Sequence, residues 1–128
     1  QLSNYMGQAF EQICTQYLIR ENGKLSLPFV FGRIGRWWGN NPNKKRQDEI
    51  DILAIDEDNA IFGECKWRNE PVGISVFHDL VEKSTLFKQY KNKYYFLFSK
   101  TGFSRELENA AVNMNNLNLV NLKRLYKK

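Results

Sequence analysis

Histidine and cysteine are scarce in this 128-residue chain, which has one His (His78) and two Cys (Cys14 and Cys65). Their spacing fits no zinc site, no Cys-x-x-Cys redox pair and no disulfide framework. Both cysteines are read as free thiols packed in the core of a protein from a reducing, cytoplasmic compartment. With no second His or Cys at ligand spacing, His78 is read as a surface residue rather than a metal ligand or a catalytic base. No apolar run approaches the roughly 18 residues of a membrane span, and no signal-peptide pattern is present. There is no Gly-x-x-x-x-Gly-Lys phosphate loop. Gly32 and Gly35 belong to no Gly-x-Gly-x-x-Gly that opens a helix, so a dinucleotide-binding reading finds no support. Repeats and low-complexity segments are also missing.

What is present describes a folded globule. Hydrophobic residues make up 42% of the chain and aromatics 14% (nine Phe, six Tyr, three Trp). The length suits a single domain over 1–128. Nineteen basic against fourteen acidic residues leave a net charge of +5. That excess suits a polyanionic partner and equally suits an ordinary solvated basic surface.

Periodicity sets out the elements. Met6, Ala9 or Phe10, Ile13, Tyr17 and Leu18 predict an amphipathic helix from about Ser3 to Glu21, stopped by Asn22-Gly23. Phe29 to Trp38 reads as a strand, in which Gly32 and Gly35 suggest a bulge or a close approach. Trp37 and Trp38 face opposite sides of any regular strand, so at least one packs inward. Gly39 to Arg46 reads as a polar loop whose Lys44, Lys45 and Arg46 suit phosphate contact on DNA and equally a solvated tip.

After the next two strands and a loop broken by Pro71, Ser75 is expected to cap a helix. Its inner face carries Val76, Phe77, Leu80, Val81, Ser84 and Phe87. Lys93 to Ser99 is nearly continuously apolar, as a strand buried on both faces should be. Ser104 is expected to cap a helix with Leu107, Ala110, Ala111 and Met114 inside. Leu117 to Leu122 gives a last strand, followed by a basic tail with Lys123, Arg124, Lys127 and Lys128. The order α-β-β-β-α-β-α-β implies an α/β domain of two or three layers around a mixed sheet flanked by helices.

The two strands between loop and helix carry the chemistry. Gln47 to Asp56 alternates around Asp51, Glu57-Asp58-Asn59 supplies a turn, and Ala60 to Trp67 follows. On the second strand Ala60, Phe62, Glu64 and Lys66 share a face, because side chains two apart point the same way. Two acids and a lysine near a core are costly unless they are paired or hold a metal. A plain surface salt bridge between Glu64 and Lys66 is the competing reading, and such pairs are common.

Asp51 followed by Glu64-Cys65-Lys66 resembles the Asp…Glu-x-Lys signature of the PD-(D/E)xK nuclease superfamily, which has the restriction-endonuclease-like fold. Ile50 stands where the nominal motif has proline. With Gly32-Arg33-Ile34-Gly35-Arg36-Trp37-Trp38-Gly39 ahead of it, the chain is most similar to the nuclease-like domain of unknown function at the C-terminus of some archaeal and bacterial P-loop ATPases. It is also similar to Mrr-type endonucleases and archaeal Holliday junction resolvases.

The resemblance implies a Mg²⁺- or Mn²⁺-dependent endonuclease acting on DNA. Asp51, Glu64 and the backbone carbonyl of Cys65 would hold the metal, Lys66 would serve the attacking water, and Glu11 would assist from the first helix. Glu11 otherwise reads as an ordinary surface carboxylate. Arg36, Arg68 and Lys83 join the loop cations as candidates for DNA contact. The resemblance further implies that the chain is the C-terminal fragment of a longer ATPase chain with an N-terminal motor domain, and it raises a homodimer as an expectation, since superfamily enzymes that cut both strands often work as dimers. The alternative is a catalytically silent nuclease-fold module that binds DNA or regulates an attached ATPase.

Overall fold

Alternate side chains of the apolar run Tyr95–Phe98 go to two different cores, and this divides the molecule into three layers. The computed structural model describes residues 2–127, so Lys128 of the basic tail lies outside the described residues. The elements are α1 (Leu2–Gly23), β1 (Arg33–Asn41), β2 (Arg46–Asp56), β3 (Asn59–Lys66), α2 (Ile74–Ser84), β4 (Asn92–Ser99), α3 (Arg105–Val112), β5 (Leu117–Asn121) and α4 (Leu122–Leu125). The predicted order holds, with a short helix added at the end.

The sheet runs β1-β2-β3-β4-β5 and is mixed. β1, β2 and β3 are joined by tight turns and pair antiparallel, while β3, β4 and β5 pair parallel. Parallel neighbours need a crossover, and α2 and α3 supply one each. On one face Phe10, Cys14, Tyr17 and Leu18 of α1 and Leu125 of α4 cover Ile52, Ile61, Phe96 and Phe98. On the other, Phe77 and Leu80 of α2 and Leu107 of α3 cover Ile50, Phe62, Tyr95 and Leu97. Fully burying each of these large side chains contributes about 1.5–3 kcal/mol. Burial on both faces therefore explains why β4 reads as a continuous apolar run.

Several boundaries differ from the sequence reading, each for a local reason. The first strand begins at Arg33 rather than Phe29, because the Asn22 side chain donates to the Phe31 carbonyl (3.1 Å) and accepts its amide (2.9 Å). A side chain has taken the place of a strand partner there. At its far end β1 continues through Asn40 and Asn41, and Asn41 pairs with Arg46 across a turn of residues 42–45. Buried Asn41 donates to Asp48 at 2.8 Å, which anchors residues expected to lie in a loop. Trp37 packs edge-on against Phe87 with centroids 4.9 Å apart, while Trp38 is exposed. Gly39 makes room for that packing, since a Cβ there would lie 2.6 Å from the Trp37 ring.

The cap of α2 is Gly73, with no side-chain hydrogen bond, so Ser75 lies inside the helix and is exposed. Met114 falls beyond the end of α3 and is partly exposed. β5 stops at Asn121 because the Asn121 side chain accepts the Arg124 amide (3.0 Å) and starts α4.

Ser104 does cap α3, its hydroxyl accepting the Leu107 amide at 3.2 Å. Ser104→Ala is expected to remove about 1 kcal/mol of stability, lowering Tm by roughly 3–5 °C. Ser75→Ala replaces an uncapping serine within a helix and is expected to leave Tm unchanged or slightly raised. Thermal unfolding of the two variants beside the parent chain checks the assignment. Equal losses would place the cap of α2 back at Ser75.

Candidate active site

β2 carries one residue more than β1 at a single place. Gly35 pairs with Leu53, and the next pair is Trp37 with Ile50. This bulge lies on β2 opposite Arg36, and a bulge re-aims the side chains on either side of it. Its effect is visible in burial: Ile50 enters the α2 core and Ile52 the α1 core, although residues two apart normally share a face. Asp51 sits at the switch. The sequence reading placed a bulge near Gly35 from the glycines; the extra residue is on the partner strand.

The same place is a fork. β2 and β3 pair from Asp56↔Asn59 to Ile52↔Gly63, and no further rung follows. Where the next would form, Asp51 Oδ2 accepts the Cys65 amide at 2.9 Å. Gly63 admits the close packing at this end, since a Cβ there would lie 3.0 Å from Ile52 Cβ. Cys65 thus meets the acid through its backbone. Its thiol faces the α1 core beside Cys14, and burial pushes the thiol pKa well up, with the Cys14 contact adding to it.

Glu64 and Lys66 project from β3 towards α2, as strand alternation predicts. Lys66 Nζ lies 3.2 Å from Glu64 Oε2, and the Glu64 side chain is 13% exposed. Together with Asp79, Leu80 and Lys83 they line a small cavity of about 70 Å³. Burial, then the charge of Asp51, raises the Glu64 pKa to about 7, although Lys66 and Lys83 oppose the shift. Lys83 is held in place by donating to the Glu49 carbonyl at 2.9 Å.

On the α1 side a larger hollow of about 980 Å³ reaches Asp51, and Glu11 and Arg36 border it. Arg36 Nη1 lies 2.5 Å from Glu11 Oε1 and 3.5 Å from Asp51 Oδ1, while Nη2 reaches Glu49 Oε2 at 3.1 Å. Burial and then Asp51 raise the Glu11 pKa, with Arg36 opposing. Of the expected site residues, Asp51, Glu64, Lys66 and Lys83 gather around the fork, and Glu11 reaches Asp51's other side through Arg36.

The cations expected to meet DNA are placed in different ways. Arg36 clamps three carboxylates, Lys44 pairs with Glu82, and Arg46 pairs with Asp48 at 3.2 Å. Lys45 is exposed in the turn. Arg68 is half-buried, with its Nε buried and unpartnered. Glu49 and Asp79 were not singled out from the sequence. Asp79 stands four residues before Lys83, a helical spacing that puts both on one face, and that was the available signal.

The Glu64 shift has a definite sign. Between about pH 4.5 and about pH 7 the folded chain holds a proton on Glu64 that the unfolded chain has released. Stability therefore falls as pH rises through that window. Urea unfolding of the chelator-treated chain at pH 5 and pH 8 is expected to show a loss of about 1–3 kcal/mol from this group. Glu64→Gln, which keeps the shape without the titration, is expected to remove that part of the slope. An unchanged slope in the variant would assign the pH dependence elsewhere.

Comparison with known proteins adds the following. The chain is 34% identical over 110 residues to the uncharacterized protein MJECL04 of Methanocaldococcus jannaschii, a match covering 81% of this chain and 24% of that protein. It therefore spans about a quarter of the length of that relative. Among solved structures it is similar to the protein of unknown function AF1548, with a TM-score of 0.54 at 19% identity over 93% of this chain and 60% of that one. A looser likeness is to the DNA modification-dependent restriction endonuclease AspBHI, with a TM-score of 0.45 at 14% identity over 93% of this chain and 33% of that one. Residues 1–85 match the family DUF234, described as archaeal and bacterial proteins of unknown function. That segment holds α1, the β1–β3 fork and α2, and on this match the chain belongs to the DUF234 family.

Proposed function

We propose that this chain is a metal-dependent DNA endonuclease domain of the PD-(D/E)xK type, hydrolysing phosphodiester bonds at the β2–β3 fork. The observation that carries the reading is the convergence of Asp51, Glu64 and Lys66 there. One acid is fixed by a backbone amide, and the other is buried deeply enough to hold its proton near neutrality. A structural ion pair has no need of a second carboxylate that raises the pKa of the first.

The donor set fits a hard cation. Among the described residues no group of three or more His, Cys, Asp or Glu side chains is placed to hold a metal. Two carboxylates and a backbone oxygen are the set that suits Mg²⁺ or Mn²⁺, which keep several waters, and not Zn²⁺. Asp51, Glu64 and the Cys65 carbonyl would hold the ion. Such an ion, when bound, would make the attacking water more acidic and offset the charge that builds up on the phosphate.

The chain's own residues do the rest. Lys66, tethered to Glu64, orients the attacking water and donates from Nζ to a phosphate oxygen. Lys83 adds positive potential on the α2 side. Arg36 restrains Glu11 and Asp51, so neither swings away from the fork. An N-terminal ATPase partner, as part of a longer chain, belongs to the same proposal.

A second reading has one observation in its favour. Arg36 already pairs with three carboxylates beside the fork, as a silent binding or regulatory module of the same fold would allow. Supercoiled plasmid and branched DNA incubated with the chain in Mg²⁺, Mn²⁺ or EDTA separate the two. The endonuclease reading expects metal-dependent nicking that falls at least about a hundredfold in Asp51→Asn, Glu64→Gln and Lys66→Ala. DNA retardation without cutting in any metal would support the silent module. Nicking that persists in all three variants would remove these residues from the chemistry.

A further inference from the structure

The hollow on the α1 side is longer than the acids need. Gln8, Gln12, Gln16 and Arg20 recur every four residues along α1, and all four line it. At its far end the hollow meets Leu125, the last residue of α4, and Tyr126, which caps it. Tyr126 is also shared with an adjoining depression of about 610 Å³ lined by Leu122, Lys123 and Lys127. The two depressions meet at Tyr126, so their linings lead from Glu11, Arg36 and Asp51, past a ladder of amides, to a basic end with an exposed aromatic ring. The two helices, α1 and α4, are tied together, since Arg20 Nη2 donates to the Leu125 carbonyl at 3.0 Å.

We propose that this α1–α4 groove seats one unpaired strand of nucleic acid and leads it to the β2–β3 fork. The proposal rests on the nuclease reading for what happens at the fork, but not for binding. Charge argues for it first. Lys44, Arg46 and Arg36 each hold a carboxylate, whereas Lys123, Arg124 and Lys127 form no ion pair among the described residues. Lys123 and Lys127, both exposed, are thus available to a polyanion at α4.

The lining argues next. Glutamine amides donate to phosphate and sugar oxygens without reading sequence. Tyr126, 64% exposed, offers a face on which a base can stack. Stacking there needs a base free of its partner, which selects a single strand over a closed duplex. Length agrees as well. From Glu11 to Arg20 is about 14 Å at 1.5 Å per residue, or about four nucleotides at 3.4 Å each.

The test is fluorescence anisotropy of a fluorescein-labelled oligothymidine of about 12 nucleotides with the 128-residue chain in EDTA, across about 50–200 mM salt. Lys123→Glu/Lys127→Glu is expected to weaken binding at least tenfold and to flatten the salt slope by about 1 or more. Tyr126→Ala is expected to weaken it about tenfold. The charge-matched control Lys88→Glu/Lys91→Glu, whose lysines are exposed beyond α2, should stay within about twofold of the parent chain. All the altered side chains are exposed, and unchanged Tm values confirm folding. Parent chain that does not bind the strand, or groove variants that bind like the control, would overturn the proposal. Because EDTA prevents cutting, binding without later nicking leaves the groove standing while the endonuclease reading falls. Nicking with no loss in the groove variants does the reverse.

Discussion

The hydrogen bond from the Cys65 amide to Asp51 is the constraint on which the site depends. A bulge moves β2 out of register, so that one strand feeds Ile50 to the α2 core and Ile52 to the α1 core. The ladder with β3 ends at that point and would leave the Cys65 amide without a strand partner. A buried donor left unpaired costs about 1–3 kcal/mol, and the Asp51 carboxylate answers it at 2.9 Å. The acid is therefore required by the fold at the very place where it is available for chemistry. Substituting Asn keeps an acceptor oxygen and substituting Ala does not, so only the former separates the two roles.

Charge around the fork is arranged as a balance that does not close. Asp51, Glu64, Glu11 and Glu49 lie within reach of Arg36, Lys66 and Lys83, yet Glu64 and Glu11 still have raised pKa values. Burial is the leading cause for both, and Asp51 is the second. The cations were not enough to offset removing two carboxylates from water beside a third. A fully paired structural network would have no such surplus. The surplus is what a bound cation would relieve.

Much of this could be read from the sequence. Period-two alternation placed Glu64 and Lys66 on one face, and the continuous apolar run at Tyr95–Phe98 announced a strand covered on both sides. The element order and mixed sheet followed from the same patterns. What escaped the sequence was decided by long-range hydrogen bonds. Asn22 reads as a helix stop, and nothing nearby says that its side chain will occupy the Phe31 backbone and delay β1 to Arg33. Asn41 reads as loop, until Asp48 accepts its amide seven residues later. Ser75 is a good capping residue in the wrong place by two positions. Arg36 looks like a phosphate contact because carboxylates 13 to 25 residues away, Glu11 among them, are invisible to local pattern.

The fate of the cations also shows why a net charge is a poor map of a partner. The run Lys44-Lys45-Arg46 is the most basic stretch in the first half of the chain, and Lys44 and Arg46 are engaged by Glu82 and Asp48. The tail around α4 has the same composition, but among the described residues its cations form no ion pair, and only Arg124 feels a nearby acid, Glu21. Lys123 and Lys127 are left to be screened by salt, and they line a depression that shares Tyr126 with the hollow reaching Asp51. A polyanion drawn to the tail and repelled by the fork would lie along α1 with its charge highest where the cations are. A bound metal ion, or the proton that Glu64 holds, would ease its advance. On the proposed reading the acidic fork and the basic tail would act together, entry to the site being coupled to neutralising it.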